Sequence, residues 1–327
     1  MIAFLARRAL STVPTLVGIT ILTFAILNLL PTDPIQVWSG GGSYSAEAAE
    51  HLRSELRLEQ GVAARYASWG FALLRGDLGR SLRDGRTVAS VIAGALPWSL
   101  LLNLCSVVLI YGVAVPFGLF GASSPGSVAD RLGHLILLLL YAVPSFAAAL
   151  ILQQWFAVRL GWLPLHGVSA QGASSVERAW DLARHLALPT ACLALSGWAI
   201  VARYSRAAFR SLLNREFLAV ARAKGLSRLR AYGHVTANAA VPFVTLLATI
   251  LPGLVGGSVI VEQVFSLPGV GRLYLTSVEA RDYPVVLGLT LLSAVLVLAG
   301  QLLVDVLYLI VDPRIREGLL GDRGDVH

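Results

Sequence analysis

Lysine occurs once in this 327-residue chain, at Lys224, and methionine only at Met1. Cysteine occurs twice, at Cys105 and Cys192, and only 14% of the residues are charged. Each scarcity closes off a class of function. A phosphate-cradling loop of the form G-x-x-x-x-G-K-[S/T] needs a lysine after its glycine turn. Lys224 does not lie in one, so any nucleotide hydrolysis belongs to another chain. The two cysteines sit inside apolar runs without a spacing that suits a metal or a redox pair, and they read as small core residues. The six histidines are scattered, with no metal-ligand spacing. No Ser/His/Asp or H-E-x-x-H arrangement stands out, so the chain reads as neither a membrane protease nor a metal enzyme. Soluble domains carry about a quarter charged residues. The shortfall here points to lipid as the solvent.

What is abundant is apolar: 56% of the residues are hydrophobic. A membrane-spanning helix needs about 20 mostly apolar residues. Six windows meet or approach that length: Leu10–Leu30, Leu96–Ala122, Leu132–Val158, Leu186–Ala202, Thr236–Val261 and Pro284–Val311. The pattern therefore predicts an all-α polytopic membrane protein with six transmembrane helices. The first run follows Arg7 and Arg8, as a signal peptide would, but a signal core spans only about 7–15 residues before a small-residue cleavage site. This run is longer and ends in Leu29-Leu30-Pro31, which reads as an uncleaved first helix.

Orientation follows from the placement of cations. Residues 203–234 hold eight Lys or Arg against one acid, Glu216. With that segment in the cytoplasm, six helices put both termini there too, and Arg7, Arg8, Arg314 and Arg316 fall on the same side. Residues 31–95 then lie outside, with seven Arg balanced by seven acids. The net charge of +7 is accounted for by inside-loop arginine beside an anionic leaflet, so no nucleic-acid partner is expected.

The expected organisation is an N-terminal helix over 1–30, an extracytoplasmic region over 31–95, a five-helix core over 96–311 and a polar cytoplasmic tail over 312–327. Within 31–95, Ser45 to Gly70 reads as helical, and Gly76-Asp77-Leu78-Gly79-Arg80-Ser81 reads as turns. Residues 122–130 form a Ser/Gly/Pro turn, and 159–185 a mixed outer loop whose Trp162 and Trp180 suit the membrane interface. Prolines 97, 116, 144, 189, 242 and 252 fall in or beside apolar runs, where each frees a carbonyl that a neighbouring helix or water must satisfy. Asn28, Asn103, Gln153, Gln154, Asn238 and Gln301 are polar at membrane depth and suit interhelical hydrogen bonds. Asp305 is the one charge in the last run and reads as structural, near the cytoplasmic end.

Residues 211–242 differ from an ordinary solvated loop. Asn214 or Ser211 can cap a helix, and Glu216 then falls where the macrodipole favours an acid. Phe217, Leu218, Val220 and Ala221 give a short apolar face, Arg222 and Lys224 close the last turn, and Gly225 ends it. Ser227 caps a second short helix toward His234. A solvated loop explains the charges but not the apolar face.

The string Glu216-Phe217, Ala221-Arg222-Ala223-Lys224-Gly225-Leu226, His234 and Pro242 resembles the cytoplasmic coupling motif of ABC-importer inner-membrane permeases of the dipeptide, oligopeptide and nickel type. Phe217 stands where Tyr is commoner, and Val220 where Thr is. Three further stretches are similar to the same family: Gly76–Ser81, Val261–Gly271 with its V-E-x-x-F-x-x-P-G-x-G pattern, and Asp312-Pro313-Arg314-Ile315-Arg316 with the preceding Val304–Tyr308. The resemblance implies a type I importer permease fold with an extracytoplasmic insertion after the first helix. It implies that Glu216, Phe217, Ala221, Arg222, Ala223, Lys224, Gly225, Leu226 and His234, within a coupling segment over 211–235, contact an ATPase. Implied partners are a second homologous permease, two cytoplasmic ATP-binding subunits that hold ATP and Mg, and an extracytoplasmic substrate-binding protein, all at a bacterial-type inner membrane. No cofactor and no metal is expected in this chain. Glu262, Pro268, Gly269 and Gly271 are candidate pathway or gate residues, although the Pro-Gly pair on its own says only a tight turn. Cargo stays open between peptides and a nickel or other metal chelate or glutathione-like solute. The competing class is a stand-alone secondary transporter or intramembrane enzyme. Such a transporter would favour repeat symmetry and buried coupling charges; the chain shows few such charges and no visible repeat.

Overall fold

Long apolar stretches become long helices wherever the backbone is not interrupted. The computed structural model describes residues 2–29, 60–169, 174–213, 243, 246–247 and 258–311, and these are helical apart from short connections and one antiparallel bridge between Arg80 and Thr87. Helix α1 is Ile2–Leu29 and α2 is Val62–Leu74. Helix α3 is Val88–Ser123 and α4 is Val128–Ala142. Helix α5, Ser145–Leu152, continues as a π-helical stretch, Gln153–Arg159. Helices α6 (Ser175–Leu213), α7 (Val270–Glu279) and α8 (Tyr283–Val311) follow, and residues 258–264 are helical too.

Three of these, α3, α6 and α8 to Leu307, are long and apolar enough to cross a membrane, and a fourth span results if α4 and α5 are counted as one broken crossing. The apolar part of α1, Thr12–Leu27, is shorter. The window 236–261 lies mostly outside the described residues, as do residues 45–59 of the helix expected over 45–70 and the tail over 312–327; the described part of that helix starts only at Val62 and runs on to Leu74.

Two expectations change. The window Leu132–Val158 is not one straight helix: it breaks at Val143-Pro144 and bends by 101°. Val143 is extended, at φ −76° and ψ 122°, because a residue before proline is pushed out of the helical region. Pro144 then opens α5, where its missing N–H costs nothing. The expected outer loop 159–185 is also shorter, because α6 begins at Ser175. Its start is a reciprocal capping box: Glu177 N donates to Ser174 Oγ over 3.1 Å, and Ser174 N donates to a Glu177 carboxylate oxygen over 3.1 Å. Pro189 lies inside α6 without ending it.

The chain divides into two compact units, one of Leu100–Leu267 with Ala299–His327, the other of Ile2–Ser99 with Pro268–Leu298. In the first, Leu102, Ala149, Leu188, Cys192, Val261 and Phe265 form one buried cluster, and Ile110, Ala114, Ala194, Val201 and Ala202 form another. Small residues set the spacing of helices here, as expected where lipid removes the hydrophobic drive between helices and close packing must replace it. A Cβ on Gly118 of α3 would lie 2.4 Å from Ser205 Cβ and 2.8 Å from Arg206 N of α6. In the second unit, Phe24 and Leu27 of α1 pack with Val286 and Leu287 of α8. Phe24 meets Tyr66 of α2 edge to face at 5.3 Å, and the Tyr66 hydroxyl lies 3.0 Å from Thr20 Oγ1.

Candidate functional site

The nine residues that the sequence assigns to ATPase coupling, Glu216, Phe217, Ala221, Arg222, Ala223, Lys224, Gly225, Leu226 and His234, lie outside the described residues. What the structure does describe is the helix that leads into them and the other motif strings.

Gly76–Ser81 is built as a compact knot. Gly79 N donates to Asp77 Oδ1 over 2.8 Å. Gly79 itself has φ +85°, a backbone that side chains with a Cβ resist. Ser81 N donates to Arg86 O over 2.8 Å, and Val88 N to Gly79 O over 3.0 Å, so the string closes onto the start of α3. Ser81 is buried, and its Oγ donates to Asp282 Oδ2 over 2.5 Å while Leu82 N donates to Asp282 Oδ1 over 3.0 Å. The same Oγ accepts from Arg83 N and Asp84 N, at 3.2 and 3.3 Å. Outside this knot, the Arg86 guanidinium hydrogen-bonded to Asp84 holds that carboxyl below the ordinary aspartate range.

The Val261–Gly271 string is divided between the two units. In the first, Glu262 is 0% exposed. The helical stretch 258–264 ends with Leu267 N donating to Glu262 O over 2.9 Å and Ser266 in the left-handed region at φ 55°, the geometry of a Schellman-type stop. Gln153, buried in the π-helical stretch, donates from Nε2 to Val264 O over 3.2 Å and to Leu165 O over 3.0 Å. Gly167 N donates to Phe265 O over 2.8 Å, so the loop after α5 is stitched to this string. In the second unit, Pro268 is exposed, and Gly269 caps α7 with Gly271 buried in its first turn. Val270 N donates to Ser99 Oγ of α3 over 2.8 Å.

At the far end of the first unit, Arg206 of α6 grips Asp130 of α4 with both nitrogens of its fork: Nε to Oδ1 at 2.9 Å and Nη2 to Oδ2 at 2.6 Å. Asp130 is 2% exposed and also accepts from Gly126 N over 2.9 Å. Neither Asp130 nor Asp282 stood out in the sequence, because each acquires meaning only from a partner far along the chain. The Ser127-x-x-Asp130 spacing was the one local signal, and Ser127 Oγ does cap α4 by accepting from Asp130 N at 3.2 Å. Asp305 is partly buried on α8. Among the described residues no group of three or more His, Cys, Asp or Glu is placed to hold a metal ion.

These geometries organise helices and connections; none sets a nucleophile beside a base. Residues 114–317 match the family described as binding-protein-dependent transport system inner membrane component, and residues 1–103 match the N-terminal region described for the same membrane components. The chain belongs to this family. It is therefore a multi-pass inner-membrane permease component of an ABC transport system, and a transport subunit rather than an enzyme. Among similar proteins, the oligopeptide transport system permease protein AppB of Bacillus subtilis (strain 168) is 37% identical over 317 residues, covering 96% of this permease and 99% of the relative. A putative peptide transport system permease protein of Brucella abortus (strain 2308) is 35% identical over 317 residues, with 97% and 99% covered. The glutathione transport system permease protein GsiC of Pectobacterium atrosepticum is 34% identical over 319 residues, again with 97% and 99% covered.

Proposed function

We propose that this permease carries peptides across the inner membrane by alternating access, powered by ATP hydrolysed on separate subunits. The observation that carries the reading is the full-length similarity to an oligopeptide permease, 37% over 317 residues, together with the basic Glu216–Gly225 string. The complex comprises a second, homologous permease, two cytoplasmic ATP-binding subunits that hold ATP and Mg, and an extracytoplasmic binding protein. The permease itself holds no cofactor. It has six spans in the type I importer fold, both termini and the tail 312–327 in the cytoplasm, and residues 31–95 outside.

Glu216, Phe217, Ala221, Arg222, Ala223, Lys224, Gly225, Leu226 and His234 meet the ATPase. The nucleotide acts by favouring one arrangement of the spans over the other, and it can shift that balance only by its differential affinity for the two. Glu262, Pro268, Gly269 and Gly271 line or close the outer mouth. The stitching of Val264 and Phe265 to the Gln153 region, and of Val270 to Ser99, supports a role that needs a fixed position. A second cargo, glutathione, is favoured by the similarity to GsiC.

Three measurements test this. Uptake of radiolabelled trialanine by cells that depend on this permease is expected, with radiolabelled glutathione measured in parallel; glutathione uptake without trialanine uptake transfers the assignment to glutathione. Gly225→Trp is expected to abolish co-purification of the ATP-binding subunits while leaving the permease in the membrane. Single cysteines at 216–234 are expected to react with impermeant maleimide only from the cytoplasmic side. Labelling from outside would sink the proposed orientation.

A further inference from the structure

We infer that Asp130 and Arg206 are positioning residues for coupling: they lock α3, α4 and α6 into one body, so that movement delivered to the end of α6 is passed on to the bundle. The inference rests on the proposed role of residues 216–234, which begin three positions after Leu213 in the chain.

Four observations within one unit support it. The Arg206 fork holds both Asp130 oxygens, at 2.9 and 2.6 Å, and a two-pronged contact fixes direction as well as distance. The carboxylate simultaneously receives Gly126 N over 2.9 Å, so one side chain ties α6, the first turn of α4 and the connection from α3. His134 flanks it, with Nδ1 2.8 Å from Asp130 O and 3.3 Å from Oδ1. Helix α3 is pressed onto the joint with no room to spare: a Cβ on Gly121 would lie 2.7 Å from Asp130 Oδ1, and one on Gly118 would lie 2.8 Å from Arg206 N.

An ion pair whose carboxylate is buried while its guanidinium is a quarter exposed is a poor device for stability alone, since taking the carboxylate out of water offsets much of the attraction. Its advantage is a fixed register. Turning α6 by a single residue swings Arg206 through about 100° and breaks both prongs. Arg206 lies seven positions before Leu213, the last described residue of α6, a lever of about 10 Å at 1.5 Å per residue. With the pair closed, a push at that end turns three helices. With it open, α6 turns alone.

The test uses the complete transporter, purified with its co-expressed partner subunits and placed in proteoliposomes. Spin labels on V128C in α4 and A207C in α6, both exposed sites, are introduced with Cys105 and Cys192 replaced by alanine. The label-to-label distance should stay unchanged when a non-hydrolysable ATP analogue is added. In R206K, which keeps the charge but loses the fork, the distance should shift or broaden. In the same preparations, trialanine taken up per ATP hydrolysed should fall about fivefold or more in R206K and D130N, with ATP hydrolysis retained. A merely structural pair would lower uptake and hydrolysis together.

A nucleotide-dependent distance in the unaltered pair, or R206K matching it in both readouts, would overturn the inference. So would failure of R206K to assemble, which would make the pair a folding requirement. If the unaltered transporter takes up no trialanine, the peptide assignment fails, and the distance measurement still decides the clamp.

Discussion

The hydroxyl of Ser81 donates to the buried carboxylate of Asp282 over 2.5 Å, joining residues 201 positions apart in the chain. Asp282 is 2% exposed and sits at the start of α8, so the connection that leads into α3 is pinned to the foot of a second long helix. A hydrogen bond to a charged group contributes about 1.5–3 kcal/mol. Ser81→Ala should therefore lower the unfolding free energy in detergent by about that amount. Asp282→Asn should cost a similar amount, and the double variant less than the sum, because both remove one interaction. Denaturant titration of the four proteins measures this. Full additivity would show that the two residues act separately.

The glycines of α3 give a paired expectation. Gly118→Ala places a methyl 2.4 Å from Ser205 Cβ and should destabilise by about 1–3 kcal/mol through overpacking. At Gly112 of the same helix nothing lies within 4 Å. Gly112→Ala should be neutral or stabilise by up to about 1 kcal/mol, through restricted backbone freedom in the unfolded chain. Thermal unfolding of the two variants side by side is the check. Equal effects would mean that the helix contact at Gly118 does not set the spacing.

Much of the architecture was legible because lipid imposes a crude demand, about 20 apolar residues per crossing, and that demand is met by composition alone. The turn at Gly76–Ser81 was legible for the converse reason, and so was the one expected over 122–130, which the structure narrows to 124–127, since glycine, proline and serine cluster where the chain must reverse. Proline in an apolar run was not decisive. Pro189 is carried inside α6, and Pro97 and Pro116 inside α3, whereas Pro144 breaks its run by 101°. A membrane helix tolerates proline when neighbours satisfy the freed carbonyl, and those neighbours are a tertiary fact. The same limit hid Asp130 and Asp282, whose partners lie 76 and 201 residues away; Gln153 was legible as a hydrogen-bonding side chain, but its partner Val264, 111 residues on, was not. The coupling segment, by contrast, was visible only as a pattern of residue types, and the described residues stop at its threshold.

The early start of α6 was legible in retrospect, from Ser174-x-x-Glu177. Replacing a capping serine by alanine costs about 0.5–2 kcal/mol. In Ser174→Ala the amide of Glu177 loses its acceptor, and the first turn of α6 should exchange its amide hydrogens faster by about one order of magnitude. Ser174→Asp should keep the slow exchange, since aspartate caps equally well. Hydrogen exchange resolved to residues 175–179 separates these outcomes. Unchanged protection in Ser174→Ala would mean that the packing of α6 fixes its first turn without the cap.

Gln153 makes the sharpest distinction between shape and hydrogen bonding. Its amide nitrogen serves two carbonyls, Leu165 O and Val264 O, and lies 3.5 Å from His166 Nδ1; the two carbonyl oxygens need a donor. Gln153→Glu preserves the shape but turns a carboxylate toward two carbonyl oxygens, which should cost more than Gln153→Leu, where the carbonyls are only left unserved at about 1–3 kcal/mol. If Val264–Leu267 must keep its position for the outer mouth to open and close, transport in Gln153→Glu should fall further than its unfolding free energy alone accounts for. Acidification should recover part of that loss, because the protonated acid regains one donor. A Gln153→Glu variant that is as stable as Gln153→Leu, with uptake independent of pH between 5 and 8, would show that Gln153 fills space here and does not hold the string in place.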